Sequence, residues 1–289
     1  MHRGIGLTRF DLRTRVVSFW DMSKKKIVEF SRYPVAFVAL FVQIFLIIAM
    51  FLFASLAFTP SGSDPSTQRG LGATVVYGFI VGLFLSFTLW EIGFSIREEQ
   101  TRGTLESLYL SPASKVSSLV ARTFAILLWS GAMSFMAIVF VGGVVGGLPT
   151  ANIAAALLVL AFSISGFLGI GFIFAGVTIK LKETAQFLVN GLQFFFMIFS
   201  AQFFPFSALR GVHPFIVDGI SKWLPVSYCV DAFRSLLLGL PPGYPELGIS
   251  IQGEVLIVVA FGILSPIIGY WIYKRFETGA RRQGSLGEY

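Results

Sequence analysis

The side chains best suited to contact a passing solute form a polar stripe within an apolar stretch of the chain. They follow one another at intervals of four, three, four and three residues and are Gln186, Asn190, Gln193, Met197 and Ser200. A helix would carry all of them on one face. Amide groups are costly to expose to lipid, so this face is expected to meet protein or a hydrated cavity. The stripe serves either interhelical packing alone or the lining of a translocation path, with Gln43 as a candidate neighbour.

Groups that catalyse bond chemistry are scarce in this sequence. It holds two histidines, His2 and His213, and one cysteine, Cys229. Neither an H-E-x-x-H nor a G-x-S-x-G string occurs, and a single cysteine forms neither an intrachain disulfide nor a metal cluster. The G-x-x-x-x-G-K-[ST] phosphate-binding loop is also missing. We expect no catalytic residue, no metal and no cofactor in this chain, so any use of ATP falls to another polypeptide.

The composition is typical of a membrane protein. Hydrophobic residues make up 55% of the chain and charged residues 13%, with a mean hydropathy of +0.79, whereas soluble domains carry about 25% charged residues. A helix of roughly 20 apolar residues crosses the hydrocarbon core. The sequence offers six such segments, at about 34–58, 73–96, 117–146, 152–179, 185–204 and 254–273. We therefore predict an all-α integral membrane fold with six transmembrane helices.

The positions of lysine and arginine predict the orientation of these helices. Eighteen of the 22 basic residues fall on one side of the six-helix layout. The other side keeps Arg69, Arg210, Lys222 and Arg234. The positive-inside rule then places both termini in the cytoplasm, and we expect the cell membrane as the location. The net charge of +7 is thus a signal of topology rather than of nucleic-acid binding.

The chain divides into three parts. Residues 1–33 are basic, with apolar residues at roughly helical intervals, namely Leu7, Phe10, Val17, Trp20, Ile27 and Phe30. This pattern favours a helix in the membrane interface, and a cytoplasmic helix that packs on a partner is the alternative. Residues 34–273 would form the transmembrane domain, and residues 274–289 a cytoplasmic tail.

The region 205–250 is too broken by proline and glycine to form another simple span. Ile216, Ile220 and Trp223 indicate one short helix, and residues 226–238 indicate a second. Asp231 and Arg234 are expected to pair, because they stand three residues apart on the second helix. The residues of interest here are Pro205, Trp223, Pro225, Tyr228, Asp231 and Arg234.

Two further features of the spans invite interpretation. Glu91 is ionisable and stands near the end of the second span, where we expect a carboxylate paired with Arg97 or with a basic residue of the first 33. Small residues four positions apart indicate helices that approach closely, as with Gly78 and Gly82 or Ser165 and Gly169.

A polar segment at 98–112 separates the second and third spans and lies in the predicted cytoplasmic connection 97–116. Gly103 breaks the preceding helix, and Thr104 suits an N-cap. Leu105, Leu108 and Tyr109 would then share one helical face. The pattern predicts a short transverse helix, and an ordinary connecting loop is the alternative.

Three strings of this sequence resemble motifs of the ABC-2 type transporter permeases. Residues 99–106 read EQTRGTLE and are followed by LSP at 110–112, which is similar to the family's E-x-x-x-G-T-L-E and L-S-P segment. FPFSAL at 204–209 is a second match. LPVSYCVDAFR at 224–234 resembles the family's L-P-x-[ST]-Y-x-x-[DE]-x-x-R segment. The three strings stand in the family's order, and Arg210 stands where the family often has proline.

The resemblance implies the membrane-spanning permease subunit of an ABC exporter, working as a dimer of such subunits, here expected to be a homodimer. Two ATPase subunits would bind ATP and magnesium on the cytoplasmic side. The region 205–250 would form re-entrant external helices, and the connection after the second span would hold a coupling helix. The expected ATPase-docking residues are Glu98, Glu99, Arg102, Gly103, Thr104, Leu105, Glu106, Leu108 and Tyr109.

The substrate is less defined than the transport role. The predicted external connections, at about 59–72 and 148–151, are short, which favours a lipid, a drug-like molecule or a lipid-linked glycan over a protein. An ion-coupled secondary transporter with Glu91 and Asp231 as coupling carboxylates is one alternative function. A membrane anchor or sensor whose cytoplasmic loop recruits a partner is another.

Overall fold

The structure is a computed structural model that describes residues 34–57, 64–101, 115–181 and 184–282. Every regular element within these residues is helical, which confirms the predicted all-α fold. The α-helices are α1 (Pro34–Ala57), α2 (Pro65–Thr101), α3 (Lys115–Val145), α4 (Ile153–Leu181), α5 (Ala185–Phe199), α6 (Phe206–Val212), α7 (Pro225–Leu238) and α8 (Ile251–Arg282). The amino-terminal segment 1–33 lies outside the described residues.

Four of these helices are long and apolar enough to cross a membrane, within the part of the chain that the structure describes. The crossing stretches are Pro65–Ile92 of α2, Leu127–Val145 of α3, Ile153–Thr178 of α4 and Ile251–Gly279 of α8. The chain is therefore a multi-pass membrane protein. Shorter apolar stretches occupy Phe41–Ala57 of α1 and Gln186–Phe199 of α5, so the six-span layout stays a prediction at these two helices.

Helix α5 ends earlier than the predicted span 185–204. Its 15 residues rise about 22 Å at 1.5 Å per residue, which is less than the roughly 30 Å of the hydrocarbon core. The helix stops because the chain turns at Ala201, whose φ of 51° lies in the left-handed region. The N–H of Gln202 then donates to the carbonyl of Met197, at 3.3 Å, as at many helix ends.

Helix α2 is the centre of the bundle. All residues from Ala73 to Leu85 are buried, so this helix is apolar and covered on every side. It packs against α1, α3, α4, α5 and α7. A helix surrounded in this way fixes the position of the elements around it, including the polar groups described below.

Helices α4 and α8 pack closely through small residues. The hydroxyl of Ser165 donates to the carbonyl of Gly262 at 2.7 Å, and that of Ser265 donates to the carbonyl of Gly166 at 2.8 Å. A Cβ added at Gly169 would lie 2.2 Å from the backbone of Ser265. The small-residue pattern at Ser165 and Gly169 thus marks a close helix contact, held by reciprocal hydrogen bonds.

The region after α5 contains the two short helical segments that the sequence indicates. The first is a π-helical turn, Ile216–Ile220, continued by a 3₁₀ turn, Ser221–Trp223. The second is α7, which begins with Pro225 at its first helical position and ends at Gly239, where φ is 80°. Residues 226–237 of α7 are all buried.

Candidate functional site

The polar stripe of α5 lies at the margin of the face that packs on α2. Val189 and Phe196 are buried on that face. Along the stripe, Ser200 is buried, Asn190, Gln193 and Met197 are half-buried, and Gln186 is exposed. The stripe therefore runs from an open end near the start of α5 to a packed end at its last turn.

One member of the stripe has a defined partner on the central helix. The indole N–H of Trp90 in α2 donates to the side-chain oxygen of Gln193, at 2.8 Å. Neither Gln186 nor Asn190 makes a side-chain hydrogen bond with another described residue. Gln193 thus serves the packing of α5 on α2, whereas the amides toward the start of α5 have no hydrogen-bond partner within the described residues.

The other polar residues assigned to the spans are less closely grouped. Gln43 is exposed on α1 and makes no hydrogen bond with the stripe among the residues described. Glu91 is half-buried in α2 beside Trp90. The partners predicted for Glu91, namely Arg97 and the basic residues of segment 1–33, have side chains outside the described set, so that pairing stays a prediction.

The predicted docking segment falls largely outside the described residues. Glu98 and Glu99 belong to the last turns of α2, which ends at Thr101. The remaining members lie outside the described residues and are Arg102, Gly103, Thr104, Leu105, Glu106, Leu108 and Tyr109. Their role as a coupling helix stays a prediction.

A buried polar group within the described residues is centred on Arg234 of α7. Its guanidinium is fully buried. Nε donates to the carbonyl of Thr74 in α2 at 3.1 Å, and Nη2 donates to the carbonyl of Ala201 at 2.8 Å. Nη1 lies 3.9 Å from a carboxylate oxygen of Glu246. One side chain thus connects α2, the turn after α5 and the loop before α8.

These contacts correct the predicted pairing of Asp231 with Arg234. The carboxylate of Asp231 instead accepts a hydrogen bond from the N–H of Leu247 at 2.9 Å, and the hydroxyl of Ser235 lies 3.4 Å from its other oxygen. The two residues share a helix, but the tertiary fold supplies better partners for each. Spacing along a helix can indicate Ser235, four residues after Asp231, but not Leu247 or the carbonyls of Thr74 and Ala201, which lie outside α7.

Gly78 and Gly82 of α2 make room for this polar group. A Cβ added at Gly78 would lie 2.2 Å from the carbonyl of Gln202 and 2.4 Å from Nη2 of Arg234. A Cβ at Gly82 would lie 2.3 Å from the side-chain oxygen of Gln202. The small-residue pattern thus marks a close approach of α2 to α7, at Gly78, and to the turn after α5, at both glycines.

Glu246 organises the outer part of the site, and sequence reasoning missed it. Its carboxylate accepts hydrogen bonds from the N–H groups of Phe206 at 2.7 Å and Ser207 at 3.2 Å. These are unpaired donors of the first turn of α6, which begins just after Pro205. Arg210 also donates to the backbone carbonyl of Glu246 at 3.3 Å. Glu246 stands in an irregular loop, where no periodicity signals a role.

The outer surface carries a separate charged group. The Lys222 ammonium lies 2.8 Å from a carboxylate oxygen of Asp218, and Arg210 lies 3.9 Å from the same atom. The hydrogen bond from Lys222 holds the pKa of the Asp218 carboxyl below its ordinary value. Next to Lys222, Trp223 is exposed, whereas Tyr228 of α7 is buried and donates to the carbonyl of Lys222 at 2.8 Å.

Comparison with known proteins agrees with the motifs in the sequence. The sequence model of a family described as ABC-2 type transporter matches residues 17–238, which is more than half of the chain and includes α1 to α7. No curated protein matches the chain. The matched range contains the polar stripe, the segment 98–112 and Arg234.

Proposed function

Because the chain belongs to the ABC-2 type transporter family, we propose that it is the membrane-spanning permease subunit of an ABC exporter. The observation that carries the proposal is the family match over residues 17–238, together with a bundle of apolar helices around α2. ATP hydrolysis would be supplied by separate subunits, because the sequence has no phosphate-binding loop of its own. The role of this chain would then be to form the translocation path and to change conformation during transport.

In the proposed arrangement, α1 and α5 complete a six-span bundle with both termini in the cytoplasm of the cell membrane. The excess of basic residues on one side supports this orientation. The region 205–250, which lies between spans five and six and contains α7, would be re-entrant. Burial of residues 226–237 supports this, because short helices at membrane depth must be covered by protein.

We place the translocation path along α5, in a dimer of two such chains. The outward side of α5 is strongly apolar and uncovered within one chain, with Phe187 79% and Phe194 59% exposed. Such a surface suits lipid or a second subunit. The available amides of Gln186 and Asn190 lie beside this face, so that a dimer interface at α5 would bring them, with Gln43, toward a shared path.

The coupling helix would lie between α2 and α3, and its apolar residues would enter a cleft of the ATPase. Leu105, Leu108 and Tyr109 would supply most of the contact energy, while Glu98, Glu99 and Arg102 would set orientation. Closure of two ATPase subunits on ATP and magnesium would then bias the dimer between inward-open and outward-open states.

The substrate class that fits best is a lipid, a drug-like molecule or a lipid-linked glycan. The external connections are short: α2 begins at Pro65, and residues 146–152 join α3 to α4. Neither connection has the length of a domain that could hold a folded protein. The apolar faces of α1 and α5 also suit an amphipathic cargo that reaches the path from the bilayer.

Co-purification tests the proposed docking. An affinity-tagged chain would be expressed with a candidate ABC-type ATPase subunit. Leu105→Asp with Leu108→Asp should abolish recovery of the ATPase, whereas Ser107→Asp, on the opposite face of the predicted helix, should retain it. Equal recovery with both variants would overturn the proposed docking face. A transporter that moves its cargo in vesicles without ATP would favour the ion-coupled alternative.

A further inference from the structure

Two buried carboxyl groups meet where α7 packs on α8. Asp231 belongs to α7 and Glu254 to the first turn of α8, and both residues have no exposed surface. Glu254 lies within hydrogen-bonding reach of Asp231. The proposed transport function assigns no role to this pair of carboxyl groups.

The surroundings of Glu254 disfavour a negative charge. No N–H or O–H group of the described residues donates to either of its carboxylate oxygens. A buried carboxylate without donors is strongly destabilised relative to the neutral acid. The neutral acid carries one O–H donor, and it then requires an acceptor.

Asp231 has the complementary surroundings. One of its oxygens accepts the N–H of Leu247 at 2.9 Å, while the hydroxyl of Ser235 stands at a longer 3.4 Å from the other. Asp231 therefore has hydrogen-bond donors that Glu254 lacks, so a single negative charge on the pair is better placed on Asp231 than on Glu254.

We propose that Asp231 and Glu254 form a proton-binding site. Glu254 carries the proton, and its O–H group donates a hydrogen bond to the carboxylate of Asp231. The single proton ties α7 to α8. Its loss would leave two adjacent carboxylates in a buried position, and their repulsion would separate the two helices. The site makes the contact of the external region with the last span dependent on proton occupancy.

The other charged and titratable groups around the pair support this assignment. From α7 itself, Arg234 carries a positive charge. Its Nε and Nη2 donate to the carbonyls of Thr74 and Ala201, and its Nη1 lies 3.9 Å from a carboxylate oxygen of Glu246. From the loop before α8, Glu246 adds a negative charge. With three carboxyl groups and one guanidinium, a bound proton lowers the net negative charge of the cluster.

The neutral groups complete the surroundings of the pair. Tyr228 approaches from α7, and Tyr244 from the loop before α8. On the neighbouring helices, the hydroxyls of Ser163 in α4 and Tyr77 in α2 are engaged elsewhere, because they donate to the carbonyls of Val159 and Pro149. None of these side chains supplies a positive charge that could replace the proton.

Infrared spectroscopy of the purified full-length protein tests the proposal directly. At neutral pH, the wild type should show the C=O stretch of a protonated carboxylic acid, separate from the carboxylate bands. Glu254→Gln should remove that band, because its amide N–H replaces the O–H donor without a titratable proton. The matched control Asp64→Asn removes an exposed carboxyl group before α2 and should leave the band unchanged.

Two results would overturn the proposal. These are the absence of the band from the wild type and its persistence in Glu254→Gln. A band that disappears when sodium is added at constant pH would indicate a cation site instead. The absence of the band can be tested on the wild-type protein alone, so the proposal remains testable even if a variant fails to fold.

Stability gives a second readout. The folded protein holds a proton that the unfolded chain releases at neutral pH, so stability falls as pH rises. Relative to Glu254→Gln, the folding equilibrium of the wild type should weaken about tenfold per pH unit near neutrality. Parallel pH profiles of the two proteins would contradict a bound proton.

Discussion

Replacement of Arg234 by methionine tests whether its contacts hold the region 205–250 to the bundle. The substitution removes the guanidinium and keeps an unbranched side chain of similar reach. It leaves the carbonyls of Thr74 and Ala201 without their donor and Glu246 without its buried cation. An unsatisfied buried acceptor costs about 1–3 kcal/mol, and removal of one partner of a buried ion pair costs about 3–5 kcal/mol. Because these effects overlap, we expect a loss of about 3–5 kcal/mol, or roughly 10 °C in melting temperature.

The protein carries its own probe for this experiment. Cys229 is the one cysteine in the sequence and is buried in α7. A thiol-reactive fluorophore should therefore label the detergent-solubilised protein only when α7 is uncovered. Labelling would be followed during heating, and tryptophan fluorescence would report the rest of the bundle.

Arg210→Met is the matched control. Arg210 contacts the same loop residue, Glu246, but its side chain is 39% exposed. Exposed ion pairs contribute at most about 1 kcal/mol, so this variant should melt close to the wild type. Equal melting temperatures for Arg234→Met and Arg210→Met would refute the structural role assigned to Arg234.

The remaining predictions concern packing, the polar stripe and acid stability. Gly78→Ala should destabilise the protein by about 1–3 kcal/mol in thermal melts, because the added Cβ would meet the backbone carbonyl of Gln202. The control Gly131→Ala should be neutral or stabilising, because the space around Gly131 is open. Gln193→Leu should lower the free energy of unfolding by about 1 kcal/mol in denaturant titration, because the hydrogen bond from the indole of Trp90 is lost. An unchanged denaturation midpoint would contradict the packing role of Gln193. The lowered pKa of Asp218 means that its contact with Lys222 stabilises the protein above the ordinary carboxyl pKa and is lost as pH falls below it. Melting temperatures in acid should therefore fall less steeply for Asp218→Asn than for the wild type, and identical acid profiles would contradict the pairing.

Much of the fold follows from apolar patterning, and the limits of that patterning explain the differences. Helix α2 begins at Pro65 rather than near residue 73, because the polar turn from Asp64 to Gln68 is already helical. A hydropathy pattern cannot detect a polar first turn. Helix α5 ends early because Ala201 adopts a left-handed conformation that its residue type does not favour.

The candidate sites were predictable to different degrees. The register of the polar stripe follows from spacing alone, since one helix carries all of it. The partners of Arg234 do not, because Thr74, Ala201 and Glu246 come from three separate parts of the chain. Glu254 could have been noticed as an ionisable residue at the start of an apolar span. Its carboxyl partner, by contrast, becomes evident only when α7 is packed against α8.

In the proposed function, this chain forms an export path that a partner ATPase drives. ATP-dependent transport by reconstituted vesicles that contain both subunits tests it most directly, with a fluorescent lipid as the first cargo. We predict lipid movement that requires ATP and is lost with Leu105→Asp plus Leu108→Asp, while Ser107→Asp retains it. Movement at the same rate without ATP, or movement unaffected by the double substitution, would contradict the proposed function.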